Sequence, residues 1–188
     1  MKSNNLKRLT VSALLIALGV VLSELIPSFS LPFGGSVTFF SMVPVCLIAL
    51  AFGTKWGIFS GLCYGVIQLM FGLSNVTYAA GISILAALAV LLFDYIIAYA
   101  VLGLSGIFKN IIKNQYLAAI LGVVLVLVLR FICHFITGVT VWREIADLLG
   151  AIWYSITYNA TYMVPEIIIT PIGVALLLKA NILKAFNN

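Results

Sequence analysis

Charge is what this sequence has least of. Only 8% of its 188 residues are Asp, Glu, Lys or Arg, and a single histidine occurs. That scarcity excludes an ordinary water-soluble domain, and the 64% hydrophobic content turns the reading toward membrane helices. Cysteine is scarce too. Cys46, Cys63 and Cys133 lie inside apolar runs with no CxxC spacing, so they read as small buried hydrophobes. There is no GxSxG, no HExxH, no phosphate-binding loop and no cluster of metal ligands. An enzyme is therefore the weakest reading, and no cofactor is called for. The net charge of +5 raises the question of nucleic acid, but its distribution argues for membrane orientation instead.

What is present is long apolar runs. They predict a single unit over residues 1–188: an all-α integral membrane bundle of six transmembrane helices. The spans run from Leu9 to Ile26, Phe39 to Phe52, Gly57 to Leu73, Gly81 to Leu104, Leu117 to Gly138 and Ile152 to Leu178. The start, MKSNNLKRLTVSALLIALGVV, has the basic head of a signal peptide. Its apolar run continues to Ile26 with no small-x-small cleavage site, so it reads as a retained first helix.

With the N-terminus inside, Lys2, Lys7, Arg8, Lys55, Lys109, Lys113, Lys179 and Lys184 fall on the cytoplasmic side. Arg143 alone falls outside, and Arg130 lies within a span. Both termini are thus expected in the cytoplasm and the protein in the cell membrane. Of the outer connections, SFSLPFGGSVTF (28–39) carries one proline and a Gly-Gly pair but no charge. It reads either as an exposed turn or as irregular backbone satisfied by a cavity. TVWREIADLLGAIW (140–153) is long enough for a short interfacial helix.

Ionisable residues inside spans are costly and mark function. Asp94, Arg130, His134 and Glu166 are such residues, and Arg130 and His134, four apart, share a helix face. Arg130 stands where it could neutralise Asp94 or Glu166, or cap a buried carbonyl. Trp142, Trp153, Tyr154, Tyr158 and Tyr162 gather toward the outer side, where aromatic belts are also common. Asn159 brings an amide into the sixth span. A carboxylate, an imidazole, an amide and aromatic faces together suit a small, flat, cationic heteroaromatic ligand.

Four blocks carry a resemblance: GGSVTFFSMVPV (34–45), LLFDYIIAYAVLGLSG (91–106), LRFICHFITGVTVW (129–142) and IWYSITYNATYMVP (152–165). They resemble the thiamine-specific substrate-binding (S) components of energy-coupling factor (ECF) transporters, over nearly the whole chain. The resemblance implies a vitamin bound near the outer face under a closing loop. It also implies a transmembrane coupling subunit and two cytoplasmic ATPase subunits as partners, since this chain has no means of hydrolysing ATP. By motif, Asp94 matches the family's acidic ligand residue, with Tyr95 after it. His134 and Trp142 match the groups around the thiazolium, and Tyr154 and Asn159 those that read the aminopyrimidine. Some members carry a tryptophan in the loop before the second helix. Here that place falls near Gly35, leaving backbone or Phe33 to make the contact. Ala13 and Ala17 form a small-xxx-small pair, which serves either internal packing or, as the resemblance implies, docking of the coupling subunit. Three other readings remain: an S component for another vitamin or precursor such as a pyrimidine, a secondary transporter relaying protons through Asp94, Arg130 and Glu166, and a small membrane enzyme.

Overall fold

A computed structural model describes residues 2–26, 29–30, 36–142 and 147–187, and the description that follows concerns those residues. It is helical almost throughout. Helix α1 (Lys2–Val20) runs into a wide π-helical turn, Val21–Leu25. A two-residue antiparallel ladder follows, with β1 (Phe29–Ser30) pairing Phe29 to Val37 and Ser30 to Ser36 of β2 (Ser36–Val37). Next come α2 (Val43–Phe52), α3 (Thr54–Phe71) and α4 (Leu73–Ile82). The span Ile84–Gly106 is built in four pieces: α5 (Ile84–Ala89), a π-helical stretch Val90–Ile96, α6 (Ile97–Ala100) and a 3-10 stretch Val101–Gly106. Helices α7 (Gln115–Thr140), α8 (Leu148–Lys179) and α9 (Ile182–Asn187) complete the chain.

Local chemistry sets most boundaries. Pro44 sits in the first turn of α2, where its missing N–H costs nothing. Gly53, at φ +91°, turns α2 into α3 through a conformation closed to residues with a Cβ. Asn114 caps α7 by accepting from the amides of Tyr116 and Leu117, and Asp147 caps α8 by accepting from that of Gly150 at 2.7 Å.

Four helices are long and apolar enough to cross a membrane: Asn5–Leu25, Ile84–Gly106, Gln115–Thr140 and Leu148–Lys179. A fifth span results if α3 and α4, which meet at 72°, are taken as one broken crossing. Six spans were expected, and the remaining helix, α2, has only ten residues. That is roughly 15 Å, half of a hydrocarbon core of about 30 Å. Every residue of α2 from Val43 to Leu50 is buried by protein, so it forms the interior of the bundle. Helix α4 was not anticipated as an element. The expected interfacial helix in 140–153 is also absent from the described part: Asp147 is already the cap of α8, and residues 143–146 lie outside the described residues.

The bundle closes on glycine. Gly57, Gly61 and Gly65 repeat every four residues on α3 and lie against the backbone of Tyr95, Tyr99, Ala100 and Gly103 so closely that a Cβ at any of them would overlap it. Small residues let membrane helices approach to backbone contact where no hydrophobic drive exists between them. Around this crossing pack Leu47, Tyr64, Leu102, Val123, Leu127 and Met163. The two ends of the bundle differ. At one, Arg8 lies 4.5 Å over the Trp56 ring, and Lys109 donates to the Leu50 carbonyl at the end of α2. At the other, Gln68 of α3 donates to Ser23 beyond α1.

Candidate ligand-binding site

Asp94 lies in the π-helical stretch Val90–Ile96, a wide turn of the kind that recurs at functional sites. Both carboxylate oxygens are engaged. Oδ1 accepts from Thr137 Oγ1 at 2.5 Å and lies 2.9 Å from His134 Nδ1. Oδ2 accepts from the Trp142 indole at 3.2 Å. Since a carboxylate can only accept, this arrangement assigns the Nδ1 proton to His134. The opposite ring atom, Nε2, is buried and meets no hydrogen-bond partner among the described residues.

Helix periodicity supplies this set. Arg130, His134 and Thr137 are spaced four and three apart on α7, one strip of a 3.6-residue helix. Arg130 is 7% exposed, with its guanidinium carbon 3.9 Å from the centre of the Tyr99 ring and one nitrogen donating to the Ala98 carbonyl at 3.3 Å. Among the described residues it makes no ion pair with Asp94 or Glu166. Of the roles open to it, carbonyl capping and cation–π contact are the ones observed.

Helix α8 forms the aromatic wall. Tyr154 and Tyr158 stack at 5.9 Å with 15° between planes, and Tyr158 meets Tyr162 edge to face. Tyr162 in turn lies edge-on to His134. Asn159, 2% exposed, donates to the His134 carbonyl at 3.3 Å and to the Ser155 carbonyl at 2.8 Å, and accepts from the Tyr162 hydroxyl. It braces α8 against α7. Across the site, Trp142 stacks on Tyr78 of α4 at 5.7 Å.

These groups enclose a cavity of about 430 Å³ lined by Asp94, Tyr95, His134, Trp142, Tyr154 and Asn159, together with Asn75, Tyr99, Arg130, Thr137, Gly138, Tyr158 and Tyr162. That volume is of the size small ligands occupy, about 300–1,000 Å³. All six residues singled out as substrate-binding from sequence thus line one cavity. Tyr95 does so with its hydroxyl turned away: it donates to the Gly72 carbonyl and accepts from Asn75. A second chamber of about 400 Å³ shares Tyr99, Arg130, His134 and Tyr162 with the first. Glu166 lines it, accepting from the amide and hydroxyl of Thr38 at 2.7 and 3.0 Å and from Thr170 at 3.2 Å. The carboxylate therefore ties the chain just after β2 to α8.

Sequence reasoning missed Thr137, Asn75 and Tyr78. Thr137 had a signal, since it falls on the strip begun by Arg130 and His134. Asn75 and Tyr78 had none, lying in a segment between predicted spans. Trp153, grouped with the other aromatics, is 61% exposed and does not line the cavity. Ala13 and Ala17 are exposed on the outward face of α1 beside Leu14 and Leu18, and not packed internally. Phe33 and Gly35 lie outside the described residues.

Comparisons with known proteins agree on one family. The model of the thiamine transporter protein family matches residues 9–186. The thiamine transporter ThiT of Bacillus subtilis (strain 168) is 35% identical over 187 residues, covering 94% of this chain and 92% of that one. A solved structure of ThiT from Listeria monocytogenes is similar with a TM-score of 0.69 and 26% identity, over 97% of this chain and 98% of that chain.

Proposed function

The chain belongs to the thiamine transporter protein family, and on that premise we propose that it binds thiamine in the Asp94 cavity as the S component of an ECF-type uptake system. It is a multi-pass cell-membrane protein and not an enzyme. The observation that carries the reading is Asp94, a carboxylate fixed by Thr137, His134 and Trp142 inside an aromatic cavity.

The physical logic is charge against charge. Thiamine carries a permanent positive charge that no proton transfer removes. An ionised carboxylate in low dielectric is costly unless paired, so a fixed cation in the cavity offsets the cost of burying Asp94. Donors from Thr137 and Trp142 hold Asp94 in place without neutralising it. The rings of Trp142 and Tyr154 supply flat faces for the thiazolium and the aminopyrimidine. His134 Nε2 and the Tyr154 hydroxyl are the groups we assign to hydrogen bonds with the ligand. Asn159 reads the pyrimidine only by exchanging one of its present partners, and Tyr95 shapes the wall.

Delivery inward rests on partners: a transmembrane coupling subunit docking on α1 at Ala13 and Ala17, and two cytoplasmic ATPase subunits. We take residues 1–188 as one unit, with α2 and its preceding turn counted as the sixth span and both termini in the cytoplasm, the side to which the positive-inside rule sends the lysines. Isothermal titration of the purified chain in detergent, without ATP, tests the reading. Heat on adding thiamine is the expected result. No heat with thiamine but heat with another vitamin or a free pyrimidine moves the ligand assignment to that compound.

A further inference from the structure

At the lysine-rich end of the bundle a groove of about 220 Å³ lies between the end of α2, the start of α7 and the α8–α9 turn. Its floor is apolar, formed by Leu50, Ala118, Ala119 and Leu178, and Lys109 and Lys184 stand at its rim. Two alanines in succession on α7 leave the hollow. Asn181, at φ +58°, reverses the chain after α8 and so brings Lys184 over it. The groove shares no residue with the Asp94 cavity.

Among the described residues, the charges here have no acidic counterpart. The chain has five acidic side chains. Glu24 lies beyond α1, Asp94 and Glu166 line the cavities described above, and Asp147 caps the opposite end of α8. Glu144 lies outside the described residues. Among the described residues no carboxylate lines the groove, while Lys113 and Lys179 add to the cationic surroundings by sequence position. Lys109 is oriented by its bond to the Leu50 carbonyl at 3.2 Å, which leaves its other ammonium protons for an acceptor.

We infer that this groove binds one anionic phospholipid, its phosphate between Lys109 and Lys184 and the top of one acyl chain on the Leu50–Ala118–Ala119–Leu178 floor. A basic rim over an apolar floor at the end of membrane helices matches a headgroup above its chain, whereas a free phosphate has no use for the floor. Basic pockets between helices at this level are suited to anionic headgroups. The site is independent of thiamine binding.

The test is native mass spectrometry of the full chain released from nanodiscs of equimolar phosphatidylglycerol and phosphatidylcholine. The expected result is one retained phosphatidylglycerol, favoured on the order of tenfold over phosphatidylcholine. Lys184→Glu should abolish that preference and Lys184→Arg keep it. Lys184 is exposed, so neither change disturbs packing, and unchanged thiamine titration verifies the fold. Lys109→Gln should weaken retention in the same direction. Equal retention of the two lipids by the parent chain overturns the proposal. A preference that survives both Lys184→Glu and Lys109→Gln also overturns it, since the lipid then sits elsewhere.

Discussion

Asp94 accepts hydrogen bonds on both oxygens, yet none of its close partners carries a permanent charge. That leaves its own charge to be met by the ligand. Asp94→Asn should weaken thiamine binding more than Asp94→Glu does. Asn keeps the size but loses the charge, and puts a donor where Thr137 or Trp142 needs an acceptor. Loss of a charge-assisted contact in a desolvated site is worth about 1.5–3 kcal/mol, roughly ten- to a hundred-fold in affinity. A neutral analogue lacking the thiazolium charge should bind the parent weakly and lose little more in Asp94→Asn. Titrating both ligands against both proteins decides it. Equal losses would mean that Asp94 reads the pyrimidine edge or holds the fold. Arg130 shows how far a residue type can be read unaided. An arginine in a span needs partners, but the sequence does not say that they are the Ala98 carbonyl and the Tyr99 face, and not a carboxylate.

Among the elements, α4 does the most for the site with the weakest sequence signal. Its residues SNVTY (74–78) fall between the predicted spans Gly57–Leu73 and Gly81–Leu104. They fold as a helix because Gly72 lets the chain bend where Tyr95 packs, and the Tyr95 hydroxyl bonds both Gly72 and Asn75. Gly72→Ala would drive a methyl group into the Tyr95 ring. Overpacking of that kind costs about 1–3 kcal/mol. The variant should melt lower and bind thiamine less tightly, because α4 carries Tyr78 against Trp142. Thermal unfolding and titration measure the two effects, and a variant unchanged in both would remove α4 from the account. Helix α1 presents the opposite case. Ala13→Trp or Ala17→Trp adds bulk to an exposed face remote from the cavity. Thiamine binding should stay near the parent value while uptake by cells stops. Normal uptake by both variants would place the coupling subunit on another surface.

At the scale of the molecule, charge is sorted along the bundle axis. The starts of α1 and α7 and the ends of α2 and α8 share one end, marked by the Arg8–Trp56 and Lys109–Leu50 contacts, and Asp147 and the Asp94 cavity lie away from it. The positive-inside rule then predicts cytoplasmic termini. Green fluorescent protein fused after Asn188 should fluoresce, and a phosphatase reporter at the same place should stay inactive. Active phosphatase with a dark fluorescent fusion would reverse the orientation, and with it the side from which ligand enters.

Composition and charge placement by themselves determined the membrane class, most of the long spans and the residues of chemical interest. The reason is energetic: lipid penalises every polar group, so the ionisable residues inside spans, Asp94, Arg130, His134 and Glu166, and the amide of Asn159 stand out without any structure. The hydrophobic pattern did not determine how the short segments count. Helix α2 is apolar on every side because protein surrounds it, and apolar length alone does not separate a buried ten-residue helix from part of a crossing. Pairings across the bundle were equally out of reach. Threonine in an apolar helix usually bonds its own preceding turn. Only the packing of α7 on the π-helical stretch brings Thr137 to Asp94, and only the glycine seam of α3 sets the span Ile84–Gly106 close enough for Tyr95 to hold the Gly72 bend.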